Sequence, residues 1–455
     1  MLEVINPANG EAIAELATDS PETVAAKYAA ARAAQPAWAA VPLEHRIEML
    51  QRFRAALVAN LDKLAAILTA EVGKPIKQAS NEINGLLGRI DFFVEHAVPT
   101  LAARVVHDAD GMRERIEHPP LGVVANISAW NYPYFVGGNV FIPALLAGNA
   151  VLYKPSEYAS LTGCEISKLL HASGVPQDVF AMLVGAGDVG AALLAQPVDG
   201  VFFTGSAATG KRILKSLGAN LVKVQLELGG KDPTYVCEDV DVAAAAASLA
   251  DGAMYNSGQS CCSVERIYVH ASIHDAFVTA FVNEVRAMRV GLPTLADSYI
   301  GPLTRAPQLQ VLEQQVADAV AKGARVLVGG KRIEQPGNWF QPTVLVDVNH
   351  TMAVMRDESF GPIIGIQAVA DDDEAVQLMN DTDYGLTAGV YTRSEARAQR
   401  LLAQVQAGSV YWNCCDRVSP RLPWSGVKQS GIGLTLSTYG IATFTRPKAW
   451  HLRSA

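Results

Sequence analysis

The sequence predicts an α/β protein in which parallel sheets are wound with helices. Short β-branched and aromatic runs alternate with Ala- and Leu-rich runs along most of the chain. That is the pattern of strands joined by crossover helices. The alternation occurs twice, before and after Gly229-Gly230. Two α/β domains meeting near those glycines is the simplest architecture for the 455 residues, although length alone allows about three.

The elements follow in order. Ile47, Leu50, Leu57, Leu61, Leu64 and Leu68 recur at helical spacing, and Gly73 with Pro75 predicts where that helix stops. Arg113–His118 partly alternates charged and apolar residues, as a half-exposed flap or interface strand does. Strands are then expected at Val123–Ile127, Ala150–Tyr153, Val179–Val184, Val201–Thr204 and Leu221–Leu226, with helical patterns between them. A second series begins near Lys231: Thr234–Cys237, Arg266–Val269, Arg325–Val328, Ile363–Val369, Ala388–Tyr391 and Ser409–Trp412. Ala243–Tyr255, Gln308–Ala321 and Glu374–Met379 read as helices.

Composition removes several classes. Half of the residues are hydrophobic and 18% are charged, with 37 Lys+Arg against 45 Asp+Glu and a net charge of −8. Such a chain builds a core and is not disordered, and no basic stripe points to nucleic acid. Without a repeat of about 20–50 residues, a solenoid is not expected. The start, Met1-Leu-Glu-Val-Ile-Asn-Pro, lacks the basic and apolar regions of a signal peptide. The cysteines at 164, 237, 261, 262, 414 and 415 form no disulfide or metal framework, which predicts a reducing, cytoplasmic setting.

From Pro119 to Tyr153 there is no Asp, Glu, Lys or Arg. A membrane span needs about 20 mostly apolar residues. Asn126, Ser128, Asn131, Asn139, Asn149, Pro133, Pro143 and Gly137-Gly138 interrupt this stretch. It reads as buried structure rather than a span.

Four local motifs carry chemistry. Gly185-Ala-Gly-Asp-Val-Gly190 matches a dinucleotide fingerprint, but position 205, where an acidic residue belongs about 20 positions on, is Gly. Phe203-Thr-Gly-Ser206 with Gly210 follows a strand and opens a helix, so its free N–H groups favour a phosphate; an ordinary strand-to-helix turn reads the same. Cys261, in Asn256-Ser-Gly-Gln-Ser-Cys-Cys262, is a buried structural thiol or a nucleophile, and the latter needs a helix N-terminus or a cation. Glu227 ends an apolar strand, which is costly unless the carboxylate is functional or paired, for example with Lys231. His270 and His274 have the spacing of a metal pair, but the first ends a strand, and no metal site is expected.

Together these pieces resemble the aldehyde dehydrogenase superfamily over nearly the whole chain. The motifs come in the family's order: Ile5-Asn-Pro-Ala-Asn-Gly-Glu11, Ala129-Trp-Asn-Tyr-Pro133, Lys154-Pro-Ser-Glu157, Phe203-Thr-Gly-Ser206, Glu227-Leu-Gly-Gly230, Gly258-Gln-Ser-Cys261, Glu358-Ser-Phe-Gly-Pro362 and Pro423-Trp-Ser-Gly426. The resemblance implies a Rossmann-type cofactor domain from residues 1–108 and 123–228, and a catalytic domain from 229–430. Residues 109–122 and 431–455 would be oligomerisation elements. It implies Cys261 as nucleophile, Glu227 as general base and Asn131 as oxyanion donor. Lys154 and Glu157 would clamp the adenosine ribose, with Ser156 beside them. Gly205, Ser206 and Gly210 would form the pyrophosphate turn, which makes the Gly185 motif a decoy. Glu358 would hold the nicotinamide ribose, with Phe360 and Trp130 at the cleft.

The expected reaction is NAD-dependent oxidation of a small-molecule aldehyde through a thioester, in a homodimer or homotetramer. NAD is expected over NADP because Glu157 would repel a 2′-phosphate. Tyr132, Trp424, Arg417 and Arg421 would border the aldehyde entrance, the arginines gripping a carboxylate or facing solvent. Many members have a Lys and a Glu where this chain has Val140 and Thr435, so the proton from Glu227 needs another exit. A CoA-acylating dehydrogenase, a cysteine hydrolase and a non-catalytic member are the competing readings. Glu227 argues against the first, the lack of a His partner for Cys261 against the second, and the intact Cys261, Glu227 and Asn131 against the third.

Overall fold

The computed structural model describes residues 1–218 and 221–454. Its first large sheet has six strands in the order Gly431–Ile432, Lys223–Glu227, Gly200–Thr204, Val123–Ile127, Ala150–Lys154 and Phe180–Met182. All neighbours are parallel except the first pair. The second sheet has seven strands: Arg325–Val328, Thr343–Val346, Ile363–Val369, Val264–His270, Asp232–Val236, Thr387–Tyr391 and Ser409–Trp412. Only its first pair is antiparallel. The strand interiors are buried on both faces, as helix-covered parallel sheets require.

Met112–Glu117 is the middle strand of a small antiparallel sheet, between Lys448–Arg453 and Arg104–Ala109. Every residue of Arg104–Ala109 is exposed. Leu2–Ile5 and Ala12–Leu16 form a separate hairpin.

Some boundaries differ from the sequence expectation for identifiable reasons. The helix expected through Leu68 is two, Leu43–Ala59 and Leu61–Val72. Asn60 divides them, its Nδ2 donating to Ala56 O at 2.8 Å, the local side-chain bond by which Asn competes with a helix. The strand expected at Leu221–Leu226 is Lys223–Glu227, because pairing with Gly200–Thr204 extends to Glu227. Val179–Val184 shrinks to Phe180–Met182, an edge strand that meets only Val151–Tyr153.

The charge-free stretch becomes a strand, the helix Pro133–Leu146 and a second strand. That helix is buried along nearly its whole length and packs against the helix Ile76–Leu101. Gly138 permits the approach, since a Cβ there would lie 2.6 Å from Leu86 Cδ1. The asparagines satisfy buried backbone: Asn126 Nδ2 donates to Gly137 O at 3.1 Å, and Asn149 joins Gly122, Ala144 and Phe444. Among the described residues, no helix is long and apolar enough to cross a membrane.

Candidate active site

Cys261 sits in a turn between the helix Val242–Met254 and the strand Val264–His270. The helix begins on an Asp241 cap and ends into three left-handed residues, Asn256, Ser257 and Gly258. A Cβ at Gly258 would overlap the Gly361 carbonyl oxygen, so this turn needs glycine. Gln259 locks the turn: its Oε1 accepts from Thr304 N at 2.9 Å and its Nε2 donates to Asn256 O at 3.1 Å. Gln259 O accepts from Asn131 Nδ2 at 3.1 Å and Asn256 Nδ2 at 3.0 Å. No helix starts at Cys261, so the helix-terminus route to an activated thiolate does not apply.

The half-buried Cys261 opens into a cavity of about 580 Å³ that also holds Glu227, Arg89, Tyr132, Trp424 and Asp416. Its neighbour Cys262 has a different environment. It is buried and donates to Asp416 Oδ1 at 3.0 Å. Its contact with Cys261, burial and the nearby Asp416 carboxylate push its thiol well above the usual range. The vicinal cysteines are therefore not equivalent.

Glu227 ends its strand inside the cavity and is 6% exposed. Burial pushes its carboxyl up to about 7, against the lowering effect of a Thr435 hydroxyl bond and the Arg89 charge. Thr435 is held by two backbone bonds with Trp424, of 2.8 and 2.9 Å. Glu227 does not pair with Lys231, whose Nζ bonds Glu265 at 2.5 Å instead.

A second group of residues gathers at the ends of the first sheet's strands. Lys154 is buried and its Nζ donates to Pro155 O at 3.0 Å; burial lowers its pKa. Ser156 Oγ accepts from Tyr158 N and donates to Glu157 Oε2 at 3.2 Å. Gly205 N donates to Glu227 O at 3.0 Å, and Ser206 caps the helix Ala207–Leu217 through Thr209 N. Gly210 leaves room for Leu228, whose Cδ2 would lie 2.7 Å from a Cβ there. Glu358 Oε1 accepts from Gly230 N at 3.1 Å, and burial beside Glu265 pushes its carboxyl up to about 8. Phe360 holds a left-handed backbone, its N–H bonded to Glu265 at 3.0 Å, and its ring meets Trp130 edge-on at 5.4 Å.

The structure thus brings together Cys261, Glu227, Tyr132, Trp424, Arg417 and Arg421, with both arginines exposed. Asn131 is one hydrogen bond from the Cys261 turn but does not line the cavity. Lys154, Ser156, Glu157, Gly205, Ser206, Gly210, Glu358, Phe360 and Trp130 do not line it either. The Gly185–Gly190 segment opens the helix Gly187–Leu194, and Gly190 packs beside the Lys154 side chain. Among the described residues, no three His, Cys, Asp or Glu side chains cluster as metal ligands. His270 and His274 bond Ser272 and Asp275.

Sequence reasoning missed Lys74, Glu82 and Arg89. Lys74 and Glu82 form a fully buried ion pair. Lys74 Nζ also donates to Asn131 O at 2.7 Å, and Glu82 Oε1 accepts from Tyr134 N at 2.8 Å. The pair thereby fixes the backbone on both sides of Tyr132. A signal was present: Glu82 and Arg89 lie on the same helical stripe as Leu86 and Phe93.

Comparison with known proteins gives the family. Residues 1–450 match the model of the "Aldehyde dehydrogenase family". A 3,6-anhydro-alpha-L-galactose dehydrogenase from Streptomyces coelicolor is 38% identical, over 100% of this chain and 93% of that protein. The crystal structure of an Escherichia coli NADP-dependent enzyme superposes with a TM-score of 0.97 at 31% identity, covering 100% of this chain and 95% of that one. PnpE, solved in complex with nicotinamide adenine dinucleotide, gives 0.96 at 31% identity over 99% and 94%. The chain belongs to the aldehyde dehydrogenase family, whose members are NAD(P)-dependent enzymes that oxidise aldehydes.

Proposed function

We propose that this enzyme carries out the family's NAD(P)-dependent oxidation of an aldehyde to a carboxylic acid with Cys261 as nucleophile and Glu227 as base, and that it prefers NAD. One observation carries this reading: the half-buried Cys261 thiol and a buried carboxyl with a pKa of about 7 line the same cavity. The Cys261 thiolate adds to the aldehyde carbon. The oxyanion formed accepts a hydrogen bond from the Cys261 backbone N–H, and from the Asn131 amide once that side chain turns from Gln259 O toward the cavity, a kind of donor worth roughly 2.7–4 kcal/mol. Bound NAD(P) supplies the acceptor for the hydride that the substrate carbon gives up, which leaves an acyl thioester on Cys261. Glu227, whose carboxyl pKa burial raises toward neutrality, takes in its ionised form a proton from water as it attacks the thioester. The acid then leaves and the thiolate returns.

The residues present fit a dinucleotide. Glu358 has no cation partner among the described residues, so its oxygens can accept from ribose hydroxyls. The first N–H groups of the Ser206-capped helix suit a pyrophosphate. Lys154 and Glu157 would hold the adenosine ribose, and the Glu157 carboxylate disfavours a 2′-phosphate. The all-exposed strand Arg104–Ala109, beside Met112–Glu117, supports a homodimer or a homotetramer. Six free cysteines fit a cytoplasmic setting.

NADH absorbance over a panel of charged, aromatic and aliphatic aldehydes, with either cofactor and with or without CoA, tests the reading. We expect CoA-independent turnover, a higher kcat/KM with NAD, and loss of about three orders of magnitude in Cys261→Ser. A strict CoA requirement would select the acylating alternative. Unimpaired Cys261→Ser would mean another nucleophile.

A further inference from the structure

We propose that Arg89 makes this enzyme select aldehydes whose remote end carries a carboxylate, that is, short semialdehydes. The inference deepens the aldehyde oxidation proposed above and rests on it. Arg89 projects from the helix Ile76–Leu101 into the cavity that holds Cys261 and Glu227, and it is 4% exposed. Its guanidinium lies over the Phe135 ring at 3.7 Å, which fixes the plane of the fork. Nη1 donates to Asn139 Oδ1 at 2.9 Å. Among the described residues it makes no other hydrogen bond and no ion pair, and its remaining N–H groups are not sealed away from the cavity. A buried charge ordinarily has a partner of opposite sign.

Among the described residues, the other charges around the cavity make no direct bond to the Arg89 fork, although Glu227 and Glu82 attract it. Glu82 is neutralised by Lys74. Asp251 accepts from Tyr299, and Asp416 from Ser260 and Cys262. Glu227 has one oxygen bonded to the Thr435 hydroxyl, and its charge attracts Arg89 across the cavity without a direct bond. A guanidinium fork with free donors matches a planar carboxylate and holds it in one orientation. Arg417 and Arg421 stand exposed at the same cavity and add positive potential for an entering anion. Tyr132 stacks on Phe135 with ring centroids 5.7 Å apart, giving the intervening methylenes an apolar wall.

The test compares succinic semialdehyde with butanal, which has the same number of carbons but no carboxylate. Wild type should favour the semialdehyde in kcat/KM. Arg89→Met should lower that preference about 10- to 100-fold, mainly through KM, as loss of a charge-assisted hydrogen bond does. Arg89→Lys, which keeps the charge but loses the fork, should retain part of it. Binding is read separately by calorimetric titration of succinate into the Cys261→Ser protein, and Arg89→Met in that background should abolish saturable binding. No preference in wild type, or an equal fall for both aldehydes in Arg89→Met, overturns the proposal, the latter by making Arg89 a support for Glu227. If Arg89→Met does not fold, wild-type preference and succinate binding compared with Arg89→Lys decide. If no aldehyde reduces the cofactor yet succinate binding depends on Arg89, the oxidation reading fails while the carboxylate site stands.

Discussion

At the scale of single residues, the site works by giving like side chains unlike surroundings. Both vicinal thiols line the cavity, but Cys262 is buried and bonded to Asp416 while Cys261 is half-buried. Glu227 is raised to about 7 by burial, and the Thr435 hydroxyl and Arg89 limit the rise because both favour its charged form. With Glu227 as the proposed base, which acts when ionised, kcat should increase with pH through about 7 when deacylation limits turnover. Thr435→Val removes a bond to the charged form and should move that midpoint up by about one unit. A kcat–pH profile for the two proteins measures this, and coincident midpoints would show that Thr435 does not tune the base. Cys261, Glu227 and Asn131 could be nominated from the sequence because their neighbours form recognisable motifs, and the structure places the first two in one cavity. Arg89 was not, because nothing near it in sequence marks a cation whose partners, Phe135 and Asn139, come from another helix.

At the scale of elements, the position of Cys261, the proposed nucleophile, depends on where the helix Val242–Met254 stops. Three consecutive left-handed residues turn the chain, and the third lies against the Gly361 backbone. Gly258→Ala should therefore cost about 1–3 kcal/mol of stability through its backbone conformation. It should also lower kcat at least about tenfold by displacing the Cys261 turn. Thermal denaturation with kinetics at saturating aldehyde checks both; an unchanged kcat would mean that the turn tolerates the shift. The element types were largely legible in the sequence, since each long apolar run has one period. Their ends were less so. Asn60 split a helix, and Glu227 joined a strand, because side-chain capping and strand register are settled by contacts outside the run. Thr343–Val346 was missed, a four-residue buried run too short to show a period.

At the scale of the whole molecule, buried carboxyls couple folding to pH. Glu71 is 2% exposed and accepts from Leu161 N at 2.9 Å and Thr162 N at 2.6 Å, at the start of the helix Ser160–Ala172. Burial pushes its pKa from 4.5 to about 7. A folded pKa above the unfolded one gives stability that is complete below 4.5 and lost as pH rises through about 7. Wild type should therefore lose Tm between about pH 5.5 and pH 8, and Glu71→Gln, which does not titrate, should lose less. Equal losses would show that Glu71 contributes nothing to this slope. The same sheet ends that carry Glu227 also carry Lys154 and Gly205. In parallel sheets the chain leaves every strand at the same end, so residues far apart in sequence meet there.

The sequence by itself determined the fold class, the order of the elements and the family, because periodicity and short motifs are local properties of the chain. It also marked Pro119–Tyr153 as buried and charge-free. Tertiary structure alone decided what fills the space around Cys261. The Lys74–Glu82 pair behind Tyr132, the Glu265 bonds that hold Phe360, and the open guanidinium of Arg89 all join residues from separate elements. Their energies depend on burial and on distances across the fold, and neither is encoded in any single stretch of sequence.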